Sequence, residues 1–465
     1  MKKYIYPLLV LLMLPAMLIT SCKDDDDTAE LTEDCYISGV TLGSLYRTMY
    51  LKTSKGQDSI YTTTFSGNYF PMTIDQRQLT IENLDSLPIR TRLERVKTAI
   101  TFQGALYWRK VNNPNGEWVS YNGEDSLDLS TPLHLRVFSQ TGNSNRIYTL
   151  SINTHKQNGD STVWNQLGET DVLNGMAERK MTTWNGQVTV FGKKSGSDLL
   201  TCAQHPFGTI GTWTSATTTG TTNATIASLQ KMGNKLYLST TDGNIIESSD
   251  ALTWSATSYP TMTGLTLVAA SDDYLYGLCD KKLYRSNGSA WEEEKLDDSS
   301  DNMPTISLNS VFYTMNDGMK RLLLIGLCNT TDKKATIWAK GWSTGEETME
   351  KWMYYTPNAT DRYRCPAFAN LCVLPYDGGL QALGGKTTDG KYTALSTILH
   401  SSDHGISWKD YENGDMNVDT ELQTAARAAQ YIVATVDDEQ FLWIATDNKI
   451  WRGRINRLGF KKSDK

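Results

Sequence analysis

The chain has 465 residues, enough for two domains and a sizeable core. Hydrophobic residues make up 39% and charged ones 21%, so most of it should be globular, and 23 Tyr and 13 Trp among many Thr and Ser favour strands over helices. A formal net charge of −7 argues against nucleic acid as a partner, because a phosphate backbone needs a basic surface.

Residues 1–21 read as a leader. Lys2 and Lys3 open it, an apolar run covers residues 5–19, and small residues precede Cys22. The run is too short and wrongly flanked for a transmembrane helix. Ile19-Thr20-Ser21-Cys22 resembles the bacterial lipobox, which implies cleavage before Cys22 and a diacylglycerol on its thiol. Lys23, Asp24, Asp25, Asp26 and Asp27 follow, within a stretch (22–30) that reads as a solvated acidic tether. A Lys and acidic residues directly after the lipidated Cys also resemble the signal that sends Bacteroidetes lipoproteins to the cell surface. The expected address is therefore the outer face of the outer membrane.

Residues 31–155 alternate as short strands do. ISGVTLGS, SIYTTTF, RQLTIENL, TAITFQ, ALYWRK, LHLRVFSQ and RIYTLSINTH are separated by Gly, Asn, Asp and Pro. That count and spacing predict an Ig-like β-sandwich, and the closing hairpin resembles the last strands of cadherin-like modules. Residues 87–97 are either a helix or an irregular crossover. A polar linker spans 156–163.

From 164 to 460 the pattern repeats. KLYLSTTDGNIIESSDALTWSA and YLYGLCDKKLYRSNGSAWEEE both read as strand, turn, strand, turn and Trp. Trp213, Trp254 and Trp291 recur at intervals close to the roughly 40–50 residues of a propeller blade. Looser copies bring the count to six units. The last is short, and the orphan strand VWNQL near 163–167 could complete it and close the ring. The expected fold is all-β: the sandwich, then a β-propeller of six blades, with seven as the alternative.

Ser401-Ser402-Asp403-His404-Gly405-Ile406-Ser407-Trp408 has the skeleton of an Asp-box, a turn found in sialidases and in propellers without activity. Ser401, Asp403, Gly405 and Trp408 would then cap a turn, take a positive φ and pack between blades. Ser248, Asp250 and Trp254 form a degenerate copy, and Ser286, Gly288 and Trp291 a weaker one. Copies at one place in several units predict a folding device, since a catalytic group should occur once.

No catalytic residue is expected. A sialidase needs an Arg triad, a Tyr–Glu pair and an Asp, and Tyr363-Arg364-Cys365-Pro366 imitates only its first motif, in a late unit. No G-x-S-x-G elbow or phosphate loop is present. Cys35, Cys202, Cys279, Cys328, Cys365 and Cys372 lack metal-ligand spacing, so neither a metal nor a cofactor is expected. Trp342, Trp352, Tyr354 and Tyr355 escape the repeat and are the candidates for an exposed ligand-contact surface.

Together with the leader, the stretch Gly175-Met176-Ala177-Glu178-Arg179-Lys180-Met181 and the ending Ile450-Trp451-Arg452-Gly453-Arg454-Ile455-Asn456-Arg457-Leu458-Gly459-Phe460 carry a resemblance. They resemble a Bacteroides lipoprotein family, domain of unknown function 6242, over nearly the whole mature chain. That resemblance implies a β-sandwich and a propeller and lends no activity. The function expected is a surface-anchored, monomeric binding or scaffold module for a glycan or protein partner. The alternatives are a glycan hydrolase or lyase on the propeller, and a structural subunit of an outer-membrane assembly.

Overall fold

The computed structural model describes residues 31–52, 58–209, 211–357, 362–411 and 416–460. The leader, Cys22 and residues 23–27 lie outside the described residues. No described helix is long and apolar enough to cross a membrane. The chain divides after Lys156 into two compact units.

In the first unit the strand Leu133–Phe138 shows how composition becomes structure. Leu133, Leu135 and Val137 point inward, while His134, Arg136 and Phe138 face the other way. This strand pairs antiparallel with Asn145–Ser151, the hairpin legible in the sequence, and with Ala105–Lys110 on its other side. It sits in a six-stranded sheet; a two-stranded and a three-stranded sheet accompany it. One core, including Ile37, Leu42, Ile81, Leu133 and Tyr148, joins them. Residues 87–97 form the irregular crossover: only Thr91–Arg92 is extended into a strand, and Leu87 and Val96 anchor it in the core. The strand Ser44–Lys52, with its exposed Tyr46 and Tyr50, lacks the apolar face that would have announced it.

The second unit contains six four-stranded antiparallel sheets among the described residues. Their first strands are Met176–Trp184, Gln230–Met232, Thr266–Ala270, Ile306–Thr314, Cys372–Tyr376 and Val433–Val436. These strands pack side by side around a common axis, with Ile226–Ser228 completing the contact between the first two sheets. A ring of radially stacked sheets is a β-propeller. The last sheet takes its fourth strand from the start of the unit: Thr162–Glu169 pairs with Lys449–Ile455, setting Trp164 opposite Gly453. One covalent chain thereby joins both ends of the ring, and no open edge remains there.

A tryptophan stands just before the fourth strand in each of the first five sheets: Trp213, Trp254, Trp291, Trp352 and Trp408. All but Trp291 are buried. Each fills the wedge between neighbouring sheets, where a large flat side chain covers the most apolar area. A helix, Thr420–Ala428, lies between the fifth and sixth sheets in the chain. Asp419 caps it by accepting from the amides of Glu421 and Leu422, and Leu422 and Ala426 form its buried stripe.

Candidate functional site

The first strands of all six sheets face a central channel, and a cavity of about 640 Å³ lies within it. Small and apolar residues such as Thr266, Val268, Leu374 and Val433 make up much of its wall. Polar groups are interspersed with them, Lys180, Gln230, Lys231, Asn309 and Ser310 among them. Ser310 Oγ donates to Gln230 Oε1 at 3.2 Å, joining the fourth sheet to the second across the channel. Asn309 donates to the carbonyls of Ser307 and Leu371, both at 2.8 Å, and accepts from the Val373 amide, tying the fourth sheet to the fifth.

Lys180 is the distinctive group. Its strand carries an irregularity between Ala177 and Lys180, with Glu178 at φ 50, and a bulge of this kind re-aims the side chains beside it. Ser307 has φ 45 at the corresponding irregularity in the fourth sheet, so two first strands hold non-glycine residues in the left-handed region beside the channel. The ammonium of Lys180 has no ion pair or hydrogen bond among the described residues. Burial holds its pKa below the ordinary lysine range, and the Cys372 thiol, on the fifth sheet, acts in the opposite sense. Burial also pushes Cys372 up to about 11, against the pull of Lys180. The neighbouring Arg179 is occupied: it donates to the carbonyls of Met176, Leu173 and Thr446 and lies over the Tyr431 ring. Asp280 is the sole carboxylate among the described residues of the lining. The channel therefore offers a half-buried, unpaired cation at Lys180 beside other cations, amides and hydroxyls, and no pair of carboxylates.

The S-x-D-x-G-x-x-W turn lies away from these groups, between the third and fourth strands of the fifth sheet. Ser401 Oγ donates to Asp403 Oδ1 at 2.8 Å and accepts from the Gly405 amide at 2.9 Å. Asp403 accepts from the Ser407 amide at 2.8 Å and from its hydroxyl. Burial works against the charged form of Asp403, but these hydrogen bonds outweigh it and hold the carboxyl below its ordinary range. His404 and Gly405 both take positive φ, so the left-handed stretch is two residues long. Trp408 closes the turn by donating its indole N–H to the Gly405 carbonyl at 2.9 Å.

The copy at Ser248 repeats this architecture in the second sheet. Asp250 accepts from Ser248 and from the amides of Leu252 and Thr253, and Trp254 donates to the Ala251 carbonyl three residues back. Ala251 stands in the positive-φ place. The turn at Ser286 keeps the serine cap on the Gly288 amide and a weaker Asn287 cap on the Ser289 amide at 3.3 Å, and Trp291 turns to the Pro260 carbonyl instead.

The aromatic candidates need correction. Trp342 is 2% exposed and Trp352 0%, so neither presents a contact surface. Trp342 stacks on Phe312 at 5.9 Å, and Trp352 is the fourth sheet's copy of the wedge tryptophan. A longer connection between the third and fourth strands displaces Trp352 along the sequence, which hides it from the repeat. Tyr354 and Tyr355 are half-buried; Tyr354 leans on Trp338, and the Tyr355 hydroxyl accepts from Arg321 at 2.7 Å.

A Tyr–Glu pair does exist, Tyr276 to Glu347 at 2.6 Å, near Arg285. Tyr276 is 0% exposed and Glu347 5%, so no substrate can reach them. Burial raises the pKa of both groups. The six cysteines among the described residues are free, Cys365 and Cys372 included.

Lys180, Gln230, Ser310 and Cys372 escaped sequence reasoning. The available signal was a lysine amid the apolar positions of a first strand, in the very stretch that carries the family resemblance.

No curated protein sequence matches the chain. Among solved structures it is similar to streptogramin B lyase (12% identity, 75% of this chain and 98% of that one, TM-score 0.33). It is similar also to YCF48 bound to D1 peptide (11% identity, 64% and 98%, TM-score 0.38) and to a thermostable family-43 glycoside hydrolase (10%, 61% and 91%, TM-score 0.31). Similarity at that level transfers no activity. Residues 40–152 match the N-terminal domain, and residues 158–463 the beta propeller domain, of one family. The chain belongs to the family of domain of unknown function 6242.

Proposed function

We propose that the protein is a surface-anchored lipoprotein of the Bacteroides type, whose propeller binds a glycan or a protein partner and performs no chemistry. In this account Cys22 carries the lipid and residues 23–27 direct export to the cell surface. An Ig-like sandwich precedes the propeller in the chain, the protein is a monomer, and the six sheets are the propeller's six blades. The turn at Ser401, Asp403, Gly405 and Trp408 is an Asp-box that builds the ring.

One observation carries the binding assignment: Lys180, aimed by a bulge, is an unpaired cation in a channel lined by all six sheets. A half-buried charge without a counter-ion is poorly solvated, and an anionic or strongly accepting group on a ligand would relieve that cost. Glycoside hydrolysis usually needs two carboxyl groups roughly 5–10 Å apart, and Asp280 alone does not supply them. A protein partner draws support from a different place. The hairpin of Ser44–Lys52 and Asp58–Ser66 exposes Tyr46, Tyr50 and Ile60 on one face, an apolar surface of the kind that marks association.

The test is a glycan array probed with mature protein purified from membranes, beside affinity capture from native outer membrane. Retention of a ligand, lost in Lys180→Met and restored in Lys180→Arg, supports the channel. Release of shortened products from any glycan overturns the non-catalytic part. Labelled palmitate should be incorporated into the wild type and not into Cys22→Ala, and protease added to intact cells should digest the wild type. Failure of either result removes the anchor or the surface address.

A further inference from the structure

We propose a second binding site, separate from the channel, for an acidic oligosaccharide bearing uronate or sulfate groups. It is a cleft of about 480 Å³ between the fourth and fifth sheets, and Lys334, Arg362, Arg364, Lys391 and Lys409 line it beside Tyr363. The volume falls within the roughly 300–1,000 Å³ usual for small-ligand sites. In a chain of net charge −7, five cations around one concavity are a local reversal of sign.

None of the five forms an ion pair among the described residues. Asp410 is the carboxylate of the lining and is engaged by the Thr397 hydroxyl at 2.6 Å. Asp389, close enough to act on Lys334 and Lys391, is capped by Thr387 and the Lys391 amide. Arg364 is 8% exposed and donates to the Ala335 carbonyl at 3.1 Å, so its guanidinium is held in place without a counter-ion among the described residues. A fixed guanidinium is well suited to a carboxylate or sulfate.

The aromatic groups supply the other half of saccharide recognition. Tyr363 is 41% exposed, and Arg362 lies 4.8 Å and Lys409 5.5 Å from its ring centre. Lys391 lies 4.8 Å from the centre of the Tyr392 ring in the same way. Backbone bonds fix this arrangement: the Trp408 amide donates to the Tyr363 carbonyl at 2.7 Å, so the Tyr363 segment is tied to the base of the fourth strand. Sugar rings present apolar faces that pack on tyrosine, while their acidic substituents meet the cations.

Other polyanions fit less well. A long nucleic-acid strand would meet the acidic remainder of the surface. The adjoining edge strand, Lys409–Asp410, is only two residues long and offers a peptide backbone little to pair with.

Calorimetric titration of the full mature protein with oligogalacturonate and heparin hexasaccharides decides the matter, with neutral xylohexaose, inorganic phosphate, polyglutamate and an oligonucleotide beside them. One of the acidic hexasaccharides should bind, and binding should weaken about tenfold from 0.05 to 0.5 M salt. Lys391→Gln/Lys409→Gln and Tyr363→Ala, all at exposed positions, should each weaken it by roughly tenfold with unchanged melting temperature. Lys180→Met should leave it intact, which separates failure of this site from failure of the channel. Absence of binding, equal binding of xylohexaose, phosphate, polyglutamate or oligonucleotide, or full affinity in Tyr363→Ala would each overturn the proposal.

Discussion

Lys340 Nζ lies 2.6 Å from Glu294 Oε2, and neither side chain is exposed at all. The pair bridges two sheets: Lys340 belongs to the third strand of the fourth sheet, and Glu294 follows the last strand of the third. Trp352 donates its indole N–H to the same carboxylate oxygen at 2.8 Å, and Arg285 reaches the other oxygen. Glu294 is thus fully bonded, which is what makes so buried a charge tolerable.

Removing Lys340 takes one of the two cations from Glu294 while Arg285 and Trp352 remain. Lys340→Met and Trp352→Phe should each lower unfolding stability by about 1–3 kcal/mol, because Arg285 still compensates Glu294. The double variant Lys340→Met/Glu294→Gln should cost less than the sum of its singles, read from urea unfolding. Strict additivity would mean that the two groups do not share one network.

Asp403 should act on stability alone. Asp403→Ala should cost about 1–2 kcal/mol and leave ligand affinity unchanged. Because the folded pKa is depressed, the stabilisation is present above the unfolded value of about 3.9 and disappears as pH falls through the folded value. The acid arm of the wild-type stability curve should therefore be steeper than that of Asp403→Asn, measured by thermal melts between neutral pH and acid. Loss of binding without loss of stability would contradict the folding role.

Ring closure can be tested at Gly453. A Cβ there would stand 2.5 Å from the Trp164 ring on the opposing strand. Trp164 is held by its indole bond to the Asn417 carbonyl at 2.8 Å, so it cannot simply swing away. Gly453→Ala should cost roughly 1–3 kcal/mol, and hydrogen exchange should quicken first in Thr162–Glu169 and Lys449–Ile455.

Lys180 predicts a trade between stability and binding. Lys180→Met should raise stability by up to about 1 kcal/mol, since it removes a half-buried cation without a counter-ion. The folded pKa lies below the unfolded value of about 10.4, so in that window the unfolded chain binds more protons and wild-type stability rises with pH. Lys180→Met should lack that rise in thermal melts across alkaline pH. A variant less stable than wild type would assign Lys180 a structural role.

Much of this architecture was legible because strand alternation and the recurring tryptophan are periodic signals. Trp213, Trp254 and Trp291 gave the spacing of the repeat, and VWNQL stood out as a strand without a partner in its own neighbourhood. Trp352 misled because one long connection shifted it out of phase, although it fills the same wedge. The helix at Thr420–Ala428 escaped notice because a single amphipathic turn-pair amid strands has little periodicity to detect, despite the Asp419 cap. Lys180 escaped for a deeper reason. Its place in the channel depends on a bulge and on the closing of the ring, and neither is encoded by local spacing.

The most direct measurement is equilibrium binding of the array-selected ligand to wild type, Lys180→Met and Lys180→Arg, with the ligand recovered and weighed by mass spectrometry afterwards. The account predicts tight binding to wild type, at least a tenfold loss in Lys180→Met, substantial recovery in Lys180→Arg and a ligand of unchanged mass. Equal affinity across the three proteins would remove the channel from the binding site, and a ligand recovered in pieces would make the propeller an enzyme.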